Sequence, residues 1–241
     1  MDSISFVNIV KSTFAGYKVF KSKDLVSLIE TYYPAISEKT IAWKINQLKN
    51  DGFIFQVGRG LYSLRFLPEF EPKLSLKTKR FIGRIDKTKY TNMVVWDTAV
   101  FENILNQSFD KFWIFILLPK QDLETLFADL QQLSKPVFLN PDLATITRYV
   151  LSQPESVILL PAISQMPSIQ LTDYSTLSIE TTLINTWIDF DRYFQAFELD
   201  LSSLFKLSFQ QYNINRSKML RYAARREKRE SIEKYINELT L

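Results

Sequence analysis

Two groups of acidic residues have types and spacings suited to metal chemistry. Asp189 and Asp191 form a D-x-D pair, and paired carboxylates of this kind hold Mg²⁺ in nucleotidyltransferases. A metal-dependent nuclease pattern pairs an aspartate such as Asp97 with an E-x-K motif on a later strand. The transferase pattern also needs an upstream Gly-Ser turn, but residues 84–241 contain no glycine. The strand ending near Lys120 has the lysine of the nuclease pattern but lacks its carboxylate. We therefore expect neither activity, and a carboxylate-rich helix end explains the D-x-D pair better.

The composition excludes several further classes of enzyme. The 241 residues include no histidine and no cysteine, which removes Ser-His-Asp and Cys-His nucleophiles, thiolate redox sites and Cys/His zinc sites. The last of the five glycines is Gly83, so no Walker or Rossmann phosphate loop can follow it. We expect no catalytic residues, no metal and no cofactor.

A different set of residues is suited to binding nucleic acid. Lysine and arginine bind phosphates, and polar side chains can contact base edges. Arg59 lies between Gly58 and Gly60, where it suits a phosphate or a narrow minor groove. Trp43 is suited either to a base contact or to packing against a hairpin as core. The predicted DNA-binding residues are Lys39, Thr40, Trp43, Lys44, Gln47 and Arg59.

The elements that position these residues resemble a winged helix-turn-helix over residues 1–66. Apolar spacing predicts helices over 5–14, from Ser22 to Pro34, and from Ser37 to Gly52. Two β-prone runs around Arg59 predict a tight hairpin. We expect the third helix to present its DNA-binding residues opposite Ile41, Ile45 and Leu48, and to enter the major groove.

The pattern of the remaining sequence predicts a basic connector over 67–90 and an α/β domain over 91–241 that ends in helices. Strands and helices alternate from Met93 to Leu160, which is typical of a largely parallel or mixed sheet. A long last helix, over about 215–238, carries basic residues at steps of three and four. We expect this face to bind nucleic acid or an acidic protein, or else to be solvated. Its residues are Lys218, Arg221, Arg225, Arg226 and Arg229.

The charge is distributed unevenly along the chain. Residues 1–90 carry 16 basic and 8 acidic residues, residues 91–215 carry 6 and 14, and residues 216–241 carry 8 and 4. A basic first part favours a polyanion partner such as double-stranded DNA, and an acidic middle does not. The longest apolar run, Trp113 to Leu118, is far too short to span a bilayer. We expect a cytoplasmic protein without a membrane partner.

Several stretches together resemble AbiEi-like antitoxins of type IV (AbiE) toxin-antitoxin systems. The likeness to their winged-helix domain lies in residues 37–41 through Gly52 and in Val57-Gly58-Arg59-Gly60-Leu61-Tyr62. Four further stretches are similar to an uncharacterised bacterial family with the same layout. They are Val95-Trp96-Asp97-Thr98, Val137-Phe138-Leu139-Asn140-Pro141, Tyr212-Asn213-Ile214-Asn215 and Leu220-Arg221-Tyr222-Ala223-Ala224-Arg225-Arg226.

The resemblance implies a two-part antitoxin. Its N-terminal domain would bind and repress the promoter of its own operon. Its C-terminal domain would counter a nucleotidyltransferase-like toxin, with or without forming a stable complex. The alternative from the residues alone is a protein-interaction scaffold whose winged helix does not bind DNA.

Overall fold

The computed structural model describes residues 3–133, 135–172 and 174–239. These residues form two compact units. The first comprises residues 3–69 and 209–217, and the second comprises the described residues of 70–208 and 218–239. The chain is a mixture of helices and strands, as the sequence predicted. Among the described residues, no helix is long and apolar enough to cross a bilayer.

The first unit contains three helices and a small antiparallel sheet. Its elements are α1 (Ser3–Phe14), β1 (Phe20–Lys21), α2 (Ser22–Tyr32), α3 (Glu38–Asn50), β2 (Phe55–Gly58) and β3 (Leu61–Ser63). The strands are ordered β1-β3-β2. The core forms because one face of each helix is apolar, as Ile41, Ile45 and Leu48 are on α3. Phe14 of α1 stacks on Phe20 of β1 with ring centroids 4.0 Å apart.

Two of the predicted helix starts differ in how they are capped. Ser37 caps α3 as predicted, because its side chain accepts the backbone N–H of Thr40. Ser22 is instead the first residue of α2, and the carboxylate of Asp24 accepts the N–H of Lys21. A carboxylate in the first turn satisfies a free N–H as a serine cap does.

The second unit is built on a six-stranded mixed sheet. Its first elements are α4 (Leu76–Ile82), β4 (Val94–Asp97), α5 (Ala99–Leu105), β5 (Phe112–Leu118), α6 (Lys120–Leu130) and β6 (Val137–Leu139). Next come α7 (Leu143–Thr145), which continues as a π-helix over Ile146–Val150, β7 (Glu155–Pro161), β8 (Ser168–Gln170) and β9 (Ser175–Leu177). The last are α8 (Ile179–Ile188), a π-helical turn over Phe190–Phe194, a 3₁₀ turn over Gln195–Phe197, α9 (Leu201–Gln211), α10 (Arg216–Arg225) and α11 (Arg229–Glu238). The end of α9 and the first two residues of α10 group with the first unit.

The sheet order is β6-β7-β5-β4-β9-β8, and β6, β7 and β5 run parallel. Because side chains alternate along a strand, the side chains of β5 pack on both faces of the sheet. Ile114, Ile116 and Leu118 join the core beneath α4 and α6. On the opposite face, Trp113 contacts Phe197 and Phe115 contacts Phe194 within an aromatic cluster. The strand is buried on both faces, which explains its continuous apolar sequence.

The segment expected to be a basic connector contributes to this second core. Phe81, Ile82, Ile85 and Tyr90 are all buried there, although lysines and arginines lie between them in the sequence. The charged residues had masked a helical apolar face. Residues 70–90 therefore group with the α/β elements.

Two other features differ from the sequence prediction. The single long helix over about 215–238 is wrong, because α10 ends at Arg225 and α11 begins at Arg229. Glu227 between them has a left-handed φ of 55°, which a continuous helix does not allow. The short antiparallel pair β8 and β9 was not predicted, because its residues are largely polar and form only three pairs.

Candidate nucleic-acid interface

The outward face of α3 carries an exposed stripe of four residues. Lys39, Trp43, Asn46 and Asn50 follow one another at steps of four, three and four, so they share one side of the helix. All four are exposed, and Trp43 has 60% of its surface accessible. The alternative in which Trp43 packs as core is therefore wrong. The stripe combines one cation, one large aromatic surface and two amides.

Asn46 and Asn50 are the residues that the sequence prediction missed. Counting forward from Lys39 and Trp43 in steps of three and four reaches both of them. Each amide offers a donor and an acceptor in one plane. The signal was therefore present in the spacing.

Lys44 lies on the flank of α3 and not opposite its core, whereas Gln47 follows Trp43 by four residues and stays on its side of the helix. Lys44 comes three residues after buried Ile41 and one before buried Ile45. At 3.6 residues per turn, its side chain is only about 60° around the helix axis from that of Ile41. Its ammonium nitrogen lies 3.8 Å from the ring centroid of Tyr33. Lys44 and Gln47 both line a groove between α1 and α3 with a volume of about 280 Å³. The expectation that Lys44 shares a face with Trp43 is therefore wrong.

Thr40 is part of the helix cap. Its N–H donates to the Ser37 hydroxyl at 3.3 Å, and the two hydroxyls lie 3.0 Å apart. Thr40 is partly buried, and its hydroxyl is already engaged with Ser37. The cap fixes where α3 begins, and so where Lys39 projects.

The hairpin of β2 and β3 carries Arg59 at its exposed tip. Gly60 adopts a left-handed φ of 68°, which suits a residue without a side chain. Its carbonyl accepts the N–H of Ser22 at 2.8 Å, which ties the tip to the start of α2.

A polar chain connects the end of α3 to the same hairpin. The Lys49 ammonium donates to the Gln56 side-chain carbonyl at 3.1 Å, and the Gln56 amide donates to the Gly58 carbonyl at 3.2 Å. These bonds hold the hairpin against the last turn of α3. Lys39, Trp43 and Arg59 thus lie on elements that are joined within one unit.

The C-terminal basic residues do not line one continuous face, because the helix breaks after Arg225. Arg221 and Arg229 are exposed, one on each helix. The Lys218 ammonium lies 3.1 Å from the Glu180 carboxylate, and the Arg225 guanidinium donates to the side chain of Gln165. Lys218, Arg225 and Arg226 therefore contact side chains of their own unit, and Arg226 does so through Asn185.

Arg226 belongs to a partly buried polar cluster with Asn185 and Asp189. Its guanidinium lies 3.1 Å from the Asn185 side-chain oxygen and 3.8 Å from an Asp189 oxygen. The Tyr222 hydroxyl donates to the same Asn185 oxygen at 2.9 Å. Burial raises the pKa of Asp189, and the charges of Arg226 and Arg192 oppose the increase.

The acidic residues of the two catalytic patterns have separate environments. Asp97 is buried and accepts the backbone N–H groups of Ser75 at 3.0 Å and Ala99 at 3.2 Å, so it caps local backbone. Asp189 is partly buried near Arg226, whereas Asp191 is exposed. Within the described residues, no group of three or more acidic side chains is arranged to hold a metal ion.

Comparison with known protein families gives a match that covers most of the chain. The model of a family of unknown function, DUF6577, matches residues 40–241. The chain belongs to this family. The region shared by DUF6577 begins inside α3 and includes Trp43, Asn46, Asn50, the hairpin and the second unit, whereas α1 and α2 precede it. No curated protein matches the chain.

Proposed function

We propose that the first unit is a winged helix-turn-helix that binds double-stranded DNA and regulates transcription. The observation that carries the proposal is the exposed stripe on α3, beside a hairpin whose tip is Arg59. The order of three helices followed by a hairpin, with a short strand after α1, agrees with this fold. In such folds the third helix enters the major groove.

The side chains of the stripe have complementary roles in this proposal. Asn46 and Asn50 each suit a bidentate contact with adenine, and Trp43 suits a thymine methyl group. Lys39 and Arg59 suit phosphates, and Arg59 also suits a narrow minor groove. Lys44, which lies over Tyr33, contributes its charge from the flank.

The same proposal extends to an AbiEi-like antitoxin. The resemblance of the sequence supports it, in particular the stretch from Ser37 to Gly52 and the hairpin motif around Arg59. The protein would repress its own promoter in the cytoplasm and counter a nucleotidyltransferase-like toxin, without catalysing a reaction itself. An adjacent toxin gene, whose growth arrest is relieved by co-expression of this chain, is the expected finding. A toxin that arrests growth equally with and without this chain would contradict the antitoxin role.

DNA binding is tested by fluorescence anisotropy with two duplexes, one from the upstream intergenic region and one of random sequence. At about 150 mM salt the upstream duplex should bind at least tenfold more tightly. Asn46→Ala should reduce this preference, since a lost bidentate pair costs about 1–3 kcal/mol. Arg59→Ala should weaken both duplexes and lower the salt slope by about 1.

Lys120→Ala is the matched control, because it removes an exposed positive charge from the second unit. It should bind both duplexes as the wild type does. The proposal fails if the upstream duplex binds no better than the random one and Asn46→Ala and Arg59→Ala behave like the control.

The exposure of Trp43 favours a second candidate, a protein-interaction module. Tryptophan is enriched at the centres of protein interfaces, and a 60% exposed one on a charged helix is suited to such a contact. In that case neither duplex should bind at any salt concentration. Trp43→Ala should then abolish binding of a purified protein partner, while Arg59→Ala should not.

A further inference from the structure

A cavity of about 120 Å³ lies on one face of the large sheet in the second unit. One wall is aromatic: Trp96 stacks on Phe115 with ring centroids 4.4 Å apart, and Phe194 lies 5.8 Å from Phe115. Arg192 and Arg226 also line the cavity. A compact apolar surface facing a few charged groups is the usual composition of a small-molecule site.

The cavity reaches the carboxyl edge of the parallel strands. Residues at or just beyond the ends of three strands line it: Leu117 of β5, Pro161 of β7, and Asn140 directly after β6. Open α/β sheets bind ligands at this edge because loops and helix ends meet there. The π-helical turn Phe190–Phe194 provides Arg192 and the aromatic Phe194, and such turns are frequent at functional sites.

The two arginines are only partly neutralised. The Arg226 guanidinium and the Asp189 carboxylate are 3.8 Å apart, longer than the 2.7–2.9 Å of a charge-assisted hydrogen bond. The Arg192 guanidinium donates to the backbone carbonyl of Pro141, which carries no charge. Two cations and one carboxylate thus line the cavity, and Asp142, outside the lining, is close enough to Arg192 that, beside hydrogen bonds from Thr145, the arginine's charge helps to lower its pKa.

A further lining residue is a buried donor. Tyr193 is 1% exposed, and its hydroxyl is one of few buried side-chain atoms among the described residues without a hydrogen-bond partner. A buried hydroxyl that lacks a partner costs stability and calls for an explanation.

We propose that this cavity binds a small organic anion, whose carboxylate or phosphate group pairs with Arg226 and Arg192 and whose planar ring packs on the aromatic wall. The volume is below the range of drug-sized pockets, about 300–1,000 Å³, and so fits a single ring with its anionic group. Asp189 competes with the anion for Arg226. The site lies within the second unit and does not depend on DNA binding by the first.

The binding test uses benzoate and phenyl phosphate as probes for the two anionic groups. Isothermal titration calorimetry should give a Kd of about 1 mM or tighter for at least one of them. The same probe should change the tryptophan fluorescence, because Trp96 lines the cavity. Inorganic phosphate should bind at least about tenfold more weakly than phenyl phosphate if the ring contributes.

The variants distinguish this site from a general attraction between anions and arginine. Arg226→Gln and Arg192→Gln should each weaken the bound probe about tenfold or more. Asp189→Asn should tighten it several-fold, because the competing carboxylate is removed. Arg221→Gln is the matched control: it changes an exposed arginine on α10 outside the cavity, and should leave the Kd unchanged.

Thermal denaturation first establishes which variants are folded, and Arg192→Gln gives a second result if Arg226→Gln does not fold. The proposal is overturned if neither ring probe binds the wild type. It is also overturned if inorganic phosphate binds as well as phenyl phosphate and benzoate does not bind, or if folded arginine variants bind like Arg221→Gln.

Discussion

Glu180 shows how a carboxylate is stabilised inside the second unit. Glu180 is only 5% exposed, and the Lys218 ammonium lies 3.1 Å from its carboxylate. Burial raises the pKa of Glu180, but hydrogen bonds from Ser178 and its own backbone, with the charge of Lys218, lower it below the ordinary 4.5 overall. The stability linked to Glu180 is therefore present above the ordinary pKa and is lost as the pH falls through the lowered value.

Lys218→Met should destabilise the protein by about 1–3 kcal/mol at pH 7, because it leaves a buried carboxylate without its cation. The measurement is urea unfolding of variant and wild type at pH 7 and again in acid. In acid the two should converge, since Glu180 is then protonated in both. Lys218→Arg keeps the charge and should lose less stability. An equal difference at both pH values would show that lost packing, and not the charge pair, is responsible.

The break between α10 and α11 is an element-scale feature with a defined geometry. The Lys228 N–H donates to the Ala223 carbonyl at 2.9 Å, and the Glu227 N–H donates to the Ala224 carbonyl at 3.1 Å. These two bonds form a Schellman motif, in which the residue at the Glu227 position is left-handed. Glycine is the usual residue there because it has no Cβ.

Glu227→Gly should raise the free energy of unfolding by about 0.5–1 kcal/mol, because glycine adopts φ of 55° without steric strain. Glu227 is exposed, so the substitution removes little packing. Thermal unfolding should show an increase of a few degrees in Tm. Glu227→Ala keeps a Cβ and should give no such increase. A lower Tm for the glycine variant would mean that Glu227 makes a stabilising contact.

At the scale of the whole molecule, the first unit is assembled from two distant stretches of chain. Residues 209–217 group with residues 3–69. The Asn213 N–H donates to the Pro68 carbonyl at 2.9 Å, and its side-chain amide donates to Glu69 at 2.8 Å. The chain therefore returns to complete the unit that carries α3 and the hairpin.

Asn213→Ala in the full chain should loosen this return and cost about 1 kcal/mol locally, because one side-chain hydrogen bond is lost. Hydrogen exchange followed by mass spectrometry should then be roughly fivefold faster in residues 64–69 and 209–217. Asn50→Ala, an exposed change on α3, should leave these segments unaltered. Unchanged exchange in both segments of Asn213→Ala would contradict this account of the return.

Much of the fold follows from local pattern. The predicted alternation of strands and helices between Met93 and Leu160 is observed, and the apolar run from Trp113 to Leu118 lies within β5. The spacing of Ile41, Ile45 and Leu48, with Ser37 as cap, predicted α3. The connector over 67–90 differed because its many charges obscured Phe81, Ile82 and Ile85. Local pattern identifies an element when its apolar period is regular and uninterrupted.

The candidate site was predictable to the same extent. The exposed stripe on α3 follows from helical spacing, and counting that spacing further would have included Asn46 and Asn50. The groove position of Lys44 also follows from the helical angle, but its contact with Tyr33 needs the neighbouring helix. Spacing gives a direction around one helix and does not give the partner.

The amino-acid sequence alone shows that the chain offers no histidine or cysteine for chemistry, predicts α3 and β5, and places Lys39, Trp43 and Arg59 within their elements. The packing of the folded chain, in contrast, brings Lys218 to Glu180 and Arg226 to Asn185 and Asp189, and it places Trp96 and Arg192 in the lining of one cavity. Apolar periodicity is a property of adjacent residues along the chain. The pairing of charges that are far apart in sequence depends on how distant elements pack, which no local pattern records.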